Sequence, residues 1–252
     1  MIEYLVIFLV CTFSGVLTGL LGIGGGMIIV PAFLIIMPFF GVEFSLHQII
    51  AISSTCVFAN CSATAFYRRK EKFLPIKTIF PLILSVIIGT ILGAYYSDFA
   101  PKYIILGIYI CVSLFSIYLI NGEVYCDLKK KNLSFILFLI FAFIGAISSS
   151  IGIGGAVLFT TALKCFMGKD TKELLPTITI LVLCHAFFAF ASKFALGHVT
   201  IEIIPIAFVA SLLGSKIGVI VSKKLSSKTL NILLSVALIL GLVKIIQELF
   251  VK

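Results

Sequence analysis

Apolar runs longer than about 18 residues recur between short polar loops along this chain, and a bilayer core about 30 Å thick selects that length for a crossing helix. Backbone inside lipid must satisfy its own hydrogen bonds, which leaves helices and closed barrels as the available folds. Barrel strands alternate apolar and polar residues, whereas these runs are apolar throughout. Hydrophobic residues make up 61% and charged residues 12%, against about 25% charge in ordinary globular chains. With a mean hydropathy of +1.26, the chain cannot cover a water-facing surface. The expected fold is an all-α integral membrane protein. All ten carboxylates (Glu3, Glu43, Glu71, Asp98, Glu123, Asp127, Asp170, Glu173, Glu202 and Glu248) fall near the ends of apolar runs and none at mid-membrane depth.

The pattern resolves into ten helical segments. In the first half they run Tyr4 to Leu21, a shorter Met27 to Phe40, His47 to Tyr67, Pro75 to Ser97 and Lys102 to Ile120. In the second they run Leu133 to Ile151, a shorter Ala156 to Met167, Leu174 to Leu196, Thr200 to Val221 and Lys228 to Val251. The hydrophilic "NGEVYCDLKKKN" lies between them. This divides the chain into an N-terminal membrane repeat (1–120), a cytoplasmic linker (121–132) and a C-terminal membrane repeat (133–252). The halves align at an offset of about 130, with Gly15 over Gly145, Gly22 over Gly152, Gly24 over Gly154 and Gly25 over Gly155. Later the offset is about 125, which places "GTILGAYYS" over "GSKIGVIVS" and Asn60 over His185. One unit is used twice, as in many transporters.

Short loops rich in Lys and Arg stay on the cytoplasmic side. Arg68, Arg69, Lys70, Lys72 and Lys77 mark one such loop, Lys129 to Lys131 the linker, Lys164, Lys169 and Lys172 a third, and Lys223, Lys224 and Lys228 a fourth. The equivalent loops near Glu43, Lys102 and Lys193 are poor in bases. Equivalent points of the two halves therefore face opposite sides, as an odd number of spans per half requires. The two five-segment repeats are expected to be inverted, with both termini outside the cytoplasm. The opening "MIEYLVIFLV" lacks a basic stretch and a small-residue cleavage site, so it reads as a retained span. Seven cysteines are scattered without metal-ligand or redox spacing and read as small core residues. The net charge of +9 is dispersed among loops without aromatic interleaving, which fits membrane orientation and not nucleic acid.

Two glycine-rich breaks interrupt the apolar pattern: "GLLGIGGGMIIVPAF" (19–33) and "SSSIGIGGAVLFTTAL" (148–163). Unpaired backbone groups in lipid cost several kcal/mol each, so a break at membrane depth persists only where protein encloses it or solute reaches it. The segments that follow are too short to span comfortably at about 1.5 Å per residue, which predicts half-helices or re-entrant hairpins. Their starts offer free N–H groups and a positive dipole end to an anion, and glycine allows φ > 0 and close approach of a ligand. On this reading Gly22, Gly24, Gly25, Gly26, Gly152, Gly154 and Gly155 bind an anion at a central point. No Lys-Ser/Thr follows them, as a phosphate loop would require.

Gly15 with Gly19, Gly89 with Gly93, and Gly214 with Gly218 read instead as helix-packing pairs. Ser53, Ser54, Thr55, Thr177 and Thr179, at equivalent depth, could donate to oxyanion oxygens or bond back to their own helices. Ser148 to Ser150 could cap or coordinate the second break. Asn60 and His185 fall near mid-helix and must find partners. Asn60 joins the binding set, and His185, whose ordinary titration lies near neutrality, is the proton-coupling candidate. Lys193 and Lys216 lie nearer helix ends, open to snorkelling or to a direct anion role.

At these residues the chain resembles the TauE/SafE sulfite exporters, the TSUP transporters. The duplicated glycine motif and "AISST" carry the likeness, which extends over about 250 residues in two related halves. The resemblance implies a permease of the bacterial cell inner membrane for a small sulfur-containing or organic anion such as sulfite, thiosulfate or a sulfonate. It places functional expectation on Gly22, Gly24, Gly25, Gly152, Gly154 and Gly155. The second motif has Ala156 where the first has Gly26, and Thr161 where the first has Pro31, so the half-sites are expected to be unequal.

The expected function is secondary transport with alternating access, its interior free of the carboxylates that a cation carrier places along its path. No nucleophile with a base and no HExxH occurs, so an enzyme is not expected, nor a metal or cofactor. The partners are the small anion and the lipid bilayer, with no nucleic acid and with homo-oligomerisation left open. The alternative is a non-transporting assembly or sensor module whose glycines serve packing. Alanine at Gly25 and Gly155 would then separate the two, through lost transport in a folded protein or through misfolding.

Overall fold

A computed structural model describes residues 2–21, 26–41, 44–121, 133–168, 171–199, 201–222 and 227–250. Within them the chain forms ten helices and no strand: α1 (Ile2–Leu21), α2 (Gly26–Phe39), α3 (Leu46–Arg68), α4 (Ile76–Phe99), α5 (Lys102–Asn121), α6 (Leu133–Ile151), α7 (Ala156–Met167), α8 (Thr171–Ala195), α9 (Ile203–Ser222) and α10 (Ser227–Phe250). Every expected segment is present, its ends displaced by three residues at most. The linker beyond Asn121 lies outside the described residues, as do Gly22, Gly24 and Gly25.

Local chemistry sets the helix ends. Ser45 starts α3 with a reciprocal cap: its hydroxyl accepts from the Gln48 amide, and the Gln48 side chain accepts from the Ser45 amide. Pro75 stands at the start of α4 and Pro101 just before α5, where a missing N–H costs nothing. α7 is bounded by two left-handed glycines, Gly155 and Gly168, and the Gly168 amide closes on the Lys164 carbonyl at 3.0 Å. α2 and α7 have 14 and 12 residues, about 21 and 18 Å of helix, well short of a bilayer core.

Among the described residues five helices are long and apolar enough to cross a membrane: Leu46–Arg68, Ile76–Phe99, Lys102–Leu119, Glu173–Ala195 and Ile203–Val221. α3 and α8 are the inner ones, 78% and 56% of their span windows being buried, against 33–39% for α4, α5 and α9. That placement lets α3 carry Ser53, Ser54, Thr55 and Asn60 without showing them to lipid. The outer helices instead expose large apolar side chains, such as Leu5, Leu9 and Phe13 on α1 and Leu84, Ile88 and Leu92 on α4, the surface a bilayer would cover.

α3 crosses α8 at the centre, α1 lies along α9, and α4 lies along α6. The two flanking pairs touch backbone to backbone. A methyl group at Gly89 or Gly93 would collide with the Ala142 or Ala146 carbonyl of α6, and one at Gly214 or Gly218 with the Thr12 or Val16 carbonyl of α1. These glycines serve close packing, as their spacing suggested. Exchanging α1–α5 for α6–α10 reproduces every extensive helix pairing except that of α5 with α6. Cys11 of α1 and Cys56 of α3 form a disulfide with Cα atoms 5.9 Å apart. This corrects their reading as plain core residues: the α1–α3 contact joins positions 45 apart in sequence, a separation with no motif to announce it.

Candidate functional site

The second break is built from four residues, Gly152, Ile153, Gly154 and Gly155, between the end of α6 and the start of α7. Gly152, Gly154 and Gly155 have φ of 72°, 80° and 65°, left-handed values that a residue with a β-carbon resists. The Ile153 amide bonds back to the Ser148 carbonyl at 3.0 Å and so finishes α6. The Phe159 amide takes the Gly155 carbonyl at 2.9 Å, the first bond of α7. The amides of Gly155, Ala156, Val157 and Leu158 thus precede any acceptor within that helix, and no side chain caps it. The whole stretch is buried in protein, the condition that a break at membrane depth demands.

The break lines a hollow of about 10 Å³ together with Ser54 and Val57 of α3, Ser148 and Ser149 of α6, and His185, Ala186 and Ala189 of α8. That is room for about one water molecule. The Ser148 and Ser149 hydroxyls are fully buried and have no hydrogen-bond partner among the described residues, a condition that costs about 1–3 kcal/mol per group unless a guest supplies the partner. No carboxylate is among the lining residues. His185, 1% exposed, shares a 2.7 Å hydrogen bond between its Nδ1 and the Thr90 hydroxyl of α4, and the Phe159 ring stands edge-on to it at 5.8 Å.

The other sequence-predicted residues divide. Ser54, Thr55 and Thr179 donate to the Ile50, Ala51 and Leu175 carbonyls of their own helices, and of these only Ser54 lines the hollow. Ser53 donates to the Gly152 carbonyl at 2.8 Å, tying α3 to the break. The Thr177 hydroxyl accepts from the Leu74 amide at 3.1 Å, outside the hollow's lining. Asn60 donates through Nδ2 to Ser14 at 3.0 Å, beside the α1–α9 contact, and its Oδ1 has no partner. Gly26 opens α2 against the second break: a methyl group there would fall 2.6 Å from the Ile153 carbonyl oxygen and 2.7 Å from that of Gly152.

Sequence reasoning missed Thr90, Phe159 and the small lining residues Ala186 and Ala189. Only Thr90 left a trace, since it lies over Ser215 at the same offset that pairs His185 with Asn60. The Ser215 hydroxyl in turn reaches the Asn60 carbonyl at 3.5 Å. Lys216 is exposed. Lys193 is not, being 0% exposed, which corrects the snorkelling alternative for it. Among the described residues no three His, Cys, Asp or Glu side chains gather as metal ligands.

A sequence profile of the sulfite exporter TauE/SafE family matches residues 7–245. The chain belongs to the TauE/SafE family. A probable membrane transporter protein of Methanocaldococcus jannaschii is 26% identical over 240 residues, 88% of this chain and 87% of the other. No solved structure matches the chain. Its membrane-length helices and its kinship make this TauE/SafE protein a multi-pass membrane transporter.

Proposed function

We propose that this TauE/SafE protein is a secondary transporter that binds a small sulfur-containing or organic oxyanion, such as sulfite, thiosulfate or a sulfonate, at the glycine breaks. The anion is exposed alternately to the two sides of the membrane. The supporting observation is the hollow itself: two buried hydroxyls without partners face a helix break whose following amides are uncapped, and no carboxylate lines the space. Donors without fixed negative charge suit an anion and offer little to a cation. The first break completes the site through Gly22, Gly24 and Gly25, in two repeats of opposite orientation. The interchangeable helix pairings and the alternation of basic loops support that arrangement. His185, in the wall of the hollow, is the proton-coupling group.

Radiolabelled flux in proteoliposomes containing only this protein tests the proposal against sulfite, thiosulfate, sulfoacetate and chloride. Saturable movement of one sulfur oxyanion, competed by its congeners and not by chloride, is the expected result. Failure of the reconstituted, folded protein to move any of the three sulfur anions would overturn it.

A further inference from the structure

The last turn of α8 holds a buried lysine. Lys193 is fully buried within a membrane-length helix, a position where a cation is rare and marks a substrate or ion pathway by default. Among the described residues its ammonium makes no ion pair. Nζ donates to the Ala94 carbonyl at 3.1 Å and to the Ser97 hydroxyl at 2.5 Å, both on α4. Ser97 spends its own proton on Ala94, so the lysine sits on two neutral acceptors and keeps a third proton for another.

Around it the fold gathers more groups able to carry positive charge than negative. Gly197, left-handed at φ 76°, turns the chain back so that the His198 amide closes on the Lys193 carbonyl at 3.1 Å and the Gly197 amide on that of Phe194 at 3.0 Å. This brings the His198 ring over the helix end, where Nε2 meets Asp98 at 2.5 Å and the ring stacks on His47 of α3 at 5.6 Å. The Nδ1 of His47 is buried without a partner. Among the described residues one carboxylate, Asp98 of α4, therefore faces a lysine of α8 and two imidazoles, from α3 and from the turn after α8. Glu202, four residues beyond His198, is exposed and accepts the Tyr4 hydroxyl. His185, Ala189 and Lys193 recur at intervals of four on α8, so one helix face runs from the central hollow to this cluster.

We propose that Lys193, flanked by His198 and His47, is a second holding point for the transported oxyanion, at the end of the bundle opposite the Arg68–Lys77 loop. The anion enters by displacing Ser97 and the Ala94 carbonyl from the ammonium. The inference rests on the oxyanion reading given above. A lysine that merely neutralises the carbonyl ends of α4 and α8 would matter to stability alone, whereas a holding point enters the apparent affinity.

Initial-rate uptake of sulfite, thiosulfate and sulfoacetate into proteoliposomes is compared for the wild type, K193Q, K193R and S97A, with thermal unfolding in detergent as the folding control. K193Q is expected to raise the KM of the carried anion about tenfold, the equivalent of one charge-assisted contact. K193R is expected to stay within about threefold of wild type, since the charge is kept and its geometry changed. S97A, which removes a competitor for the ammonium, is expected to lower KM about twofold to threefold. Unchanged KM in folded K193Q overturns the proposal, and if K193Q does not fold, an unchanged or raised KM in S97A overturns it. A wild type that moves none of the anions overturns the function itself, and this inference with it.

Discussion

Ser148 and Ser149 are buried hydroxyls with nothing to bond to, so their removal should cost the fold nothing. For the Ser148→Ala, Ser149→Ala double variant we expect a melting temperature equal to or above that of wild type, because each orphan group carries a penalty of about 1–3 kcal/mol. Flux should nevertheless fall, with KM raised about tenfold or more if the hydroxyls donate to the anion. Normal flux in that variant would place the anion elsewhere. This pair is a cleaner probe than glycine. Gly155 has φ 65°, and a methyl group on it would fall 2.6 Å from the Ser148 hydroxyl, so alanine there disturbs backbone and site together. His185→Gln can keep a hydrogen bond to Thr90 while losing the imidazole proton. It should leave the protein folded and abolish any dependence of uptake on an imposed pH gradient, and a retained dependence excludes His185 as the coupling group.

Among the helices, glycines divide by what their missing β-carbon is for. In the α1–α9 and α4–α6 pairs it lets backbones touch, whereas at the second break it permits left-handed turns. Gly93→Ala drives a methyl group into the Ala146 carbonyl and should destabilise the protein by about 1–3 kcal/mol through overpacking. Gly107→Ala on α5 meets nothing within 4 Å and should be neutral or stabilising by up to about 1 kcal/mol. Thermal unfolding of the two side by side checks the contrast, and equal shifts would contradict it. The hollow holds about one water, so a sulfur oxyanion can enter only if α3, α6 and α8, which line it, move apart.

For the molecule as a whole, basic loops and the odd number of segments per half predict that a reporter fused after Lys252 is active outside the cytoplasm. Cytoplasmic activity would contradict the inverted arrangement. The membrane class, the order of the ten helices and the second glycine break were legible in the chain, because lipid imposes length and apolarity on each helix independently of its neighbours. Family membership followed from the same motif. Contacts between helices distant in sequence decided the rest. Tertiary packing left the Ser148 and Ser149 hydroxyls open among the described residues, placed Thr90 on His185, and buried Lys193 that its sequence position would have allowed to reach water. Where a polar side chain does not bond back to its own helix, its partner is set by whichever helix lies against it, and nothing local to that side chain encodes which one that is.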